Sequence, residues 1–571
     1  MKSSNELKVL LHSIHKKSYP AYKSLKGTYD FLSYRLSIDH VQGDPFASPS
    51  AVSLLIPHRT AGFPASYYES FHTRTALEDF LTRLFCQQTE RYSFKARGSG
   101  KSGLISVSQC GQEILSRTSV EIAEKAICVR FHVGFPARGR TIDAEALETI
   151  IFDYLPQAVR KSFYYKNLDA AKVKEVFYLA EDQYAIRQEL KKRELVAFIA
   201  DGSVLPRESG VSQKPMKNSV PFHSPKSQAV VLDLPHRGKL RGMGISKGIT
   251  LIVGGGYHGK STLLNALELG VYNHIPGDGR EYVITDETAL KLRAEDGRCI
   301  KNTDISLFIN DLPNKKDTHH FTTEDASGST SQAANIIEGI QAGSTVFLID
   351  EDTSATNFMV RDEFMQQVIK REKEPITPFL ERARDLYETA GISTILVAGS
   401  SGSYFHIADT ILQMDCYRTL DITARVKELC RQYPSPALKA PAFCMPGFQD
   451  RIFADIPSGR SNNRKMRGKY DGFKLKVHDK DTLLLNKTTV DLRYVEQLQD
   501  IEQTRALGYL LKYSLEHYPG QKISLTRLVQ TLEKQLKESG FQFLFSGSYI
   551  PAGLALPRIQ EIYACFNRYR G

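Results

Sequence analysis

Apolar residues recur along this 571-residue chain with two kinds of spacing, and together the spacings predict a mixed α/β protein. Alternating apolar and polar residues at 103–110 and 126–133 predict strands in the first third of the chain. Continuous apolar runs at 249–253, 345–349 and 392–398 predict buried strands in the middle. Helical spacing is found near both ends, at Leu7, Val9, Leu10, Leu11 and Ile14 and at Leu525, Leu528, Val529, Leu532 and Leu536.

Stretches rich in proline, glycine and serine divide the chain into four predicted segments. Residues 1–170 mix strand and helix patterns, which predicts an N-terminal α+β domain. Residues 171–228 read as a helical segment followed by a linker, within the mainly helical text of 143–200 and the proline-containing stretch 202–228. An α/β core is predicted at 229–435, and a small, mainly helical C-terminal domain at 436–571.

Composition indicates a soluble globular protein rather than a membrane-spanning or secreted one. The 41% hydrophobic and 24% charged residues are ordinary for a globular protein. There is no apolar run of 18 residues and no signal-peptide core, so we expect a soluble, cytoplasmic protein without a membrane partner. The eight cysteines form no C-x-x-C pair and are expected to be buried free thiols. A net charge of +11 favours polyanions, such as nucleic acid or an anionic membrane surface.

A complete phosphate-binding loop follows the first central apolar run. Residues 254–261 read G-G-G-Y-H-G-K-S, with strand text before them and helix text after them. In such a loop, backbone N–H groups and the helix N-terminus bind phosphate oxygens, Lys260 reaches the β- and γ-phosphates, and Ser261 holds Mg²⁺. The residues predicted to bind ATP here are Gly254, Gly255, Gly256, Tyr257, His258, Gly259, Lys260, Ser261 and Thr262.

The second central run ends in two carboxylates, as the other half of an ATP site would. Asp350 is predicted to bind Mg²⁺ through water, and Glu351 to orient and activate the attacking water. A buried strand with an acidic end is common in proteins without this function. The phosphate loop in the same chain favours the catalytic interpretation.

Residues 326–332 read A-S-G-S-T-S-Q and resemble the signature loop L-S-G-G-Q of ABC ATPases. Ser327 and Gly328 match, Ser329 replaces the second glycine, Gln332 comes late, and Asp350 follows Ser327 by 23 residues. A signature loop caps the γ-phosphate of a nucleotide held by a partner subunit, which predicts composite sites in a homodimer. A polar loop with an N-cap serine is the alternative.

Two landmarks of ABC ATPases are missing from the sequence. Glycine occupies position 399, where the switch histidine is expected, and no glutamine lies between Lys260 and Gln332 to form a Q-loop. We therefore predict slow turnover, with Ser400 or Ser401 taking part of the histidine's role. The missing Q-loop glutamine also argues against a transport ATPase that works with a separate membrane subunit.

Long strings of residues resemble the family described as predicted ATPases of the ABC class. They include 41–49, 98–103, 272–281 and 293–298, with further matches at 495–498 and 567–568, so the resemblance covers almost the whole chain. A described relative is a trypanosome mitochondrial protein associated with RNA editing. The resemblance implies an ABC-type P-loop ATPase core, homodimerisation, flanking domains and a basic RNA-binding channel.

Three basic segments are candidates for contact with nucleic acid. The first, 98–102, imitates a phosphate loop, but Lys95 stands where the motif needs glycine, so we reject it as a nucleotide site. Its Arg97, Lys101 and Ser102 are candidates for binding a backbone phosphate. The others are the Arg138/Arg140 loop and the segment 460–476, whose cations are Arg460, Arg464, Lys465, Arg467, Lys469, Lys474 and Lys476, interleaved with Tyr470 and Phe473. A hairpin turn and a solvated linker are the open alternatives.

These patterns predict an α/β protein with an ABC-type ATPase core that binds and hydrolyses ATP with Mg²⁺ at composite homodimer sites. The predicted coupled activity is the clamping of RNA or single-stranded nucleic acid. The alternative is a regulatory ATP-binding protein that acts on a protein partner.

Overall fold

The computed structural model describes residues 1–361, 368, 373–433, 440–448, 451–453, 473–518, 522–547 and 549–571. These residues form two compact units, one made of Met1–Glu181 with Ser539–Leu556 and the other of Asp182–Glu538 with Pro557–Gly571. The four segment boundaries expected from the sequence stay predictions. In the described part of the chain, no helix is both long enough and apolar enough to cross a membrane.

The first unit contains a sheet of seven strands among its described residues. Six follow one another across the sheet: Lys2–Ser3, Gly27–Asp30, Arg35–His40, Ser50–Pro57, Ala126–Val133 and Ile105–Ser106; the seventh, Val120–Ile122, also pairs with Ala126–Val133. The alternation at 126–133 predicted its strand with these bounds. The strand expected at 103–110 is only Ile105–Ser106, because Val120–Ile122 pairs with the neighbouring residues of the same edge.

Helices share one buried core with this sheet. Their bounds are Ser4–Ile14, Phe71–Glu90, Ala144–Thr149 and Leu155–Phe163, and Ala170–Lys192 follows them. A single π-helical turn, Ile150–Tyr154, links the third and fourth of these helices. The first helix buries Leu7, Leu11 and Ile14, as its spacing predicted, and a capping box between Ser3 and Glu6 fixes its start.

The second unit is organised by a sheet whose six described strands bear the candidate ATP site. Across the sheet these are Leu290–Leu292, Val346–Asp350, Ser393–Val397, Ile249–Val253, Thr410–Asp415 and Arg418–Asp421. The first five are parallel, and the last is antiparallel to its neighbour. The carboxyl ends of parallel strands meet at one edge, so the segments after Val253, Ile349 and Val397 converge there.

Helices of this unit occur between the strands of that sheet and in the C-terminal part of the chain. They are Lys260–Leu269, Gly328–Gln341, Thr356–Met359, Phe379–Ala390, Thr423–Gln432, Ile501–His517, Leu525–Ser539 and Ile559–Asn567. The C-terminal segment expected to be mainly helical also includes a three-stranded sheet, Leu475–Val477, Thr482–Leu485 and Thr488–Asp491.

A second, antiparallel sheet corrects part of the sequence interpretation. Its strands are Ala229–Leu234, Gly238–Ser246, Leu195–Ala200 and Val283–Thr285. Helix was expected to continue through 200, but Leu195–Ala200 is a strand buried along its whole length. Such a short apolar run has neither the helical nor the strand period, so its pattern alone does not distinguish the two. The expected linker also contains a hairpin, Arg207–Ser209 with Ser212–Pro215.

Candidate ATP site

The phosphate loop joins the strand Ile249–Val253 to the helix Lys260–Leu269. Gly254 and Gly259 have φ angles of +146° and +98°. A β-carbon at Gly254 would lie 2.4 Å from the carbonyl oxygen of Met414, and one at Gly259 would lie 2.9 Å from the ring of Tyr417. Glycine at these two positions therefore permits the tight turn that directs the helix N-terminus toward the loop.

Polar groups around this turn fit a phosphate chain with Mg²⁺. Lys260 Nζ donates hydrogen bonds to the carbonyl oxygens of Gly254 (2.7 Å) and Gly255 (3.0 Å), so its ammonium lies directly over the loop. The Ser261 side chain is exposed at the first turn of the helix, next to Thr262. A β-carbon at Gly256 would meet open space, and Tyr257 is fully exposed. The loop thus offers a cation, backbone donors and a free hydroxyl around an open cradle.

His258 ties the loop to the turn after the strand Thr410–Asp415. Its Nδ1 accepts a hydrogen bond from the Cys416 N–H (3.0 Å), and its carbonyl oxygen accepts one from the Tyr417 N–H (3.1 Å). The structure therefore places the His258 ring against this turn. Cys416 is an exposed thiol, which corrects the expectation of buried cysteines. Tyr417 has no recognisable motif around it, and sequence reasoning missed it.

Asp350 and Glu351 lie at the same sheet edge. Asp350 is buried at the end of its strand and accepts a hydrogen bond from the Asp352 N–H (3.1 Å). Glu351 Oε2 accepts hydrogen bonds from the N–H groups of Gly399 (2.7 Å) and Ser400 (3.0 Å). The Ser400 hydroxyl donates a third hydrogen bond, to Glu351 Oε1 (2.8 Å). Three donors thus fix the carboxylate that the sequence nominates as the catalytic group.

Ser400 and Ser401, the two alternatives for part of the switch histidine's role, make different contacts in the segment after Ser393–Val397. Ser400 contacts Glu351, whereas the Ser401 hydroxyl accepts a hydrogen bond from the Ser403 N–H (3.4 Å) and caps the short helix Gly402–His406. Tyr404 of that helix is fully buried. Desolvation, reinforced by the charge of Glu351, raises the pKa of Tyr404, so its phenol stays protonated. No local pattern singled out Tyr404.

The signature segment, residues 327–332, forms the start of the helix Gly328–Gln341, and Ser327 is its N-cap. Ser329 Oγ donates a hydrogen bond to Asn357 Oδ1 (2.8 Å). Gln332 donates one to Ser354 Oγ (3.0 Å) and accepts one from the Ala355 N–H (2.8 Å). The segment is therefore bonded to the D-loop segment, residues 352–357. Among the hydrogen bonds of the described residues, none joins it to the phosphate loop of the same chain.

Buried arginines connect the signature helix to the C-terminal helix Ile559–Asn567. Arg568 Nε lies 3.2 Å from Glu295 Oε2, and Arg451 lies 3.2 Å from Glu338 and 2.7 Å from Asn567. Arg298 pairs with Glu338 as well. Burial alone would raise the pKa of Glu295, but the charges of Arg568 and Arg298 lower it. The network contains residues from two strings of the family resemblance, 293–298 and 567–568.

The predicted nucleic-acid residues lie on loops that meet in the first unit. The Ser99 N–H donates to the Ala137 carbonyl (2.8 Å), and the Gly139 N–H donates to Ser99 Oγ (2.8 Å), so the structure brings 97–103 and 137–140 together. Both arginines of the second loop are largely exposed, although Arg138 Nε lies 3.2 Å from Asp143 and Arg140 Nε 2.9 Å from Asp44.

The remaining candidates for contact with nucleic acid are Ser102 and the third basic segment, 460–476. Ser102 is buried, and its hydroxyl donates to the Ser99 carbonyl (2.5 Å) and accepts from the Ala137 N–H (3.0 Å), so it is committed to holding the loops together. Most of the third basic segment lies outside the described residues, namely Arg460, Arg464, Lys465, Arg467, Lys469 and Tyr470. Lys474 and Lys476 are described, and Lys476 is in the strand Leu475–Val477.

Three family models match consecutive stretches of the chain. Residues 4–166 match the ABC-class ATPase N-terminal domain, and residues 169–449 match the P-loop domain of the ABC ATPase family. The chain belongs to the ATPases of the ABC class. Residues 474–571 match the C-terminal domain named for MRB1590, the RNA-editing-associated trypanosome protein. The predicted family and the predicted ABC-type α/β core with flanking domains are thereby confirmed.

Individual relatives of this ABC-class ATPase cover less of it. An uncharacterized protein of Methanocaldococcus jannaschii is 31% identical over 271 residues, which span 45% of this chain and 59% of that protein. An ATP-binding cassette of an ABC transporter in its ADP conformation is 12% identical, covers 34% of this chain and 88% of its own, and has a TM-score of 0.23. A component of a Clostridium perfringens ABC transporter complex is 13% identical, covers 42% and 94%, and has a TM-score of 0.25.

Proposed function

We propose that two copies of this chain form an ATPase whose closure on ATP clamps RNA or single-stranded nucleic acid. The observation that carries the proposal is the position of Glu351, held by Gly399 and Ser400 at the sheet edge that bears the phosphate loop. A carboxylate fixed beside a phosphate-binding cradle is the arrangement that ATP hydrolysis needs. The cytoplasmic location stays a prediction.

Residues of one copy would hold the triphosphate and its metal. Lys260 and the backbone N–H groups of 255–261 would bind phosphate oxygens, and Ser261 and Asp350 would hold Mg²⁺. Bound Mg²⁺ supplies charge neutralisation for phosphoryl transfer. The fit rests on the open space at Gly256, the exposed Ser261 hydroxyl and the burial of Asp350 at the strand end.

Hydrolysis would depend on Glu351 and its neighbours. Glu351 would accept a hydrogen bond from the attacking water and orient it, and Ser400 would position the carboxylate. The same three donors that fix Glu351 compete with that water for its oxygens. This competition supports slow turnover, as the missing switch histidine also does.

Assembly as a homodimer would complete each site. The signature segment is bonded within its own helix, to Glu295 and to the D-loop segment, and among the hydrogen bonds of the described residues none reaches its own phosphate loop. Its helix N-terminus, Ser327 and Gly328 are thus free to cap the γ-phosphate bound by a second copy. The buried arginine network holds this helix to the C-terminal helix and supports movement of the two as one body on closure.

The nucleic-acid part of the proposal rests on the first unit and on the C-terminal match. The loops that carry Arg97, Lys101, Arg138 and Arg140 are joined by hydrogen bonds of Ser99 to Ala137 and Gly139, which supports a shared basic surface. The match of 474–571 to a domain named for an RNA-editing-associated protein adds an independent hint of RNA. A clamp with these cations would bind phosphates with little sequence preference.

One variant tests both the chemistry and the assembly. Glu351→Gln should bind ATP, lose about 10²–10⁴-fold in hydrolysis, and accumulate as a dimer in light scattering only when ATP is present. Adding Ser327→Arg should keep this variant monomeric, because the arginine would crowd the partner's γ-phosphate. The matched control is Ser13→Arg, on an exposed helix of the first unit. A Glu351→Gln protein that stays monomeric with ATP would remove the composite-site proposal.

A further inference from the structure

We propose that Phe46 and Phe94 are base-stacking residues, so that the basic loops around them bind unpaired nucleotides in preference to duplex. The inference deepens the proposed nucleic-acid function and rests on it. Phe46 is 65% exposed and Phe94 is 55% exposed, whereas Phe85, Phe131 and Phe135 of the same unit are buried in its core. Single exposed apolar side chains are common on protein surfaces, and what distinguishes these two is that both lie against the basic loop 98–103.

Phe46 is held rigidly beside the loop 98–103. Its N–H donates a hydrogen bond to Asp44 Oδ1 (3.0 Å), and the Lys101 N–H donates one to the Pro45 carbonyl (2.8 Å). A β-carbon at Gly100, whose φ is +60°, would lie only 2.9 Å from Phe46 Cδ1. Glycine at 100 therefore lets the ring lie directly against the loop. A ring fixed in this way loses little freedom when a base stacks on it.

Phe94 is anchored to the same loop three residues further along. Its N–H donates a hydrogen bond to the Gly103 carbonyl (2.8 Å), and its φ is +60°. A left-handed backbone is costly for a residue with a side chain, so the surrounding contacts must hold it in place. The backbone of Phe94 and the ring of Phe46 thus both lie against the segment that carries Arg97 and Lys101.

The Asp44 carboxylate contacts both the backbone of Phe46 and the guanidinium of Arg140. Asp44 Oδ1 accepts the Phe46 N–H, and Asp44 Oδ2 lies 2.9 Å from Arg140 Nε. Sites for single strands combine a basic track for the phosphates with aromatic rings for the bases. In a duplex the base faces are already stacked on one another, so the rings would have nothing to contact. The arrangement around Asp44 therefore favours a single strand.

The test uses the full chain and fluorescence anisotropy with three probes. These are oligo(U) of about 15 nucleotides, oligo(dT) of the same length, and an RNA duplex of matched length, each longer than a small binding site. Phe46→Ala and Phe94→Ala should each weaken oligo(U) binding about 5- to 150-fold and leave duplex binding unchanged. Phe46→Tyr should restore binding, because its ring stacks equally well. The oligo(dT) arm shows whether the 2′-hydroxyl contributes.

The matched control is Phe71→Ala, which removes a ring 59% exposed in the same unit and should change nothing. A thermal-unfolding profile of the full chain that matches the parent shows that the first unit of each variant is folded. If both alanine variants bind oligo(U) as tightly as the parent, or lose duplex binding equally, stacking is wrong while the basic clamp stands. If the parent binds none of the three probes, the clamp and the stacking fail together.

Discussion

Two glycine-rich loops of this chain end in the same three letters, G-K-S, and the structure uses them in opposite ways. The loop 254–261 follows a central strand and begins a helix, and its lysine lies over an open turn. The loop 98–102 begins no helix and packs on neighbouring loops through Pro45 and Ala137. In the first loop glycine creates a cradle; in the second it permits contact between backbones.

The two loops also differ in the space around their glycines. A β-carbon at Gly256 would meet open space, whereas one at Gly103 would lie 2.0 Å from the Ala96 carbonyl oxygen and one at Gly98 would lie 2.7 Å from that of Ala137. Gly254 of the phosphate loop also packs against a backbone, so it is the open position at Gly256 that the loop 98–102 does not match. The letters of a motif specify a phosphate site only when a strand precedes them and a helix N-terminus follows.

The largest effect should come from removing the lysine of each loop in turn. Lys260→Ala should lower ATP hydrolysis about 10²–10³-fold, because it removes a positioned phosphate donor. Lys101→Ala should leave hydrolysis unchanged, because its loop is not a nucleotide site. Steady-state ATPase assays on the two proteins measure the contrast. Equal losses in both would erase the distinction between the loops.

The second effect tests what the loop 98–102 does instead. Changing Arg97, Lys101, Arg138 and Arg140 to glutamate should abolish nucleic-acid binding and keep ATP affinity. For the parent, affinity should fall steeply with salt, and each single charge removed should reduce the log–log slope by about one unit. Binding is measured by anisotropy across a salt series. A quadruple variant that binds like the parent would favour the regulatory protein that acts on a protein partner.

A smaller effect is the pH dependence of stability that comes from the helix Lys260–Leu269, which follows the phosphate loop. Glu268 on this helix is buried, and desolvation raises its pKa to about 7. In the unfolded chain the carboxyl has its ordinary pKa of about 4.5, so the free energy of unfolding should fall as pH rises from there to about 7 and then level off.

Glu268→Gln removes that loss. Relative to the parent, the variant should gain on the order of 3 kcal/mol between about pH 4.5 and about pH 7.5. Urea denaturation at the two pH values gives the difference. A parent and a variant with parallel pH profiles would show that the Glu268 carboxyl is solvated.

The sequence predicts best those features that a single short stretch of chain determines. The phosphate loop, the strand before Asp350 and the strand Ala126–Val133 each have a local period or motif, and the structure has these elements in place. The sequence predicts helix where the strand Leu195–Ala200 lies. All six residues are apolar and buried, so their sequence has no alternation of apolar and polar residues to indicate a strand.

Features that depend on distant residues were out of reach. The sequence predicts Ser400 only as a partial replacement for the histidine, and it predicts neither the bond of Ser400 to Glu351 nor the bond of Ser329 to Asn357. The pairing of Glu295 with Arg568 joins residues 273 positions apart, which no local pattern encodes. The sequence predicts Ser102 as a phosphate ligand, but Ser102 is buried. Its burial depends on loops that are distant in sequence, so the sequence does not reveal it.

The central claim is that the phosphate loop of one copy works with the signature segment of another, and mixing two inactive variants tests it directly. Lys260→Ala disables the first component and Ser327→Arg the second. In a mixed dimer the arginine would face the site that lacks Lys260, so one intact composite site would remain and the mixture should hydrolyse ATP faster than either variant alone. A mixture as inactive as its two components would contradict the claim.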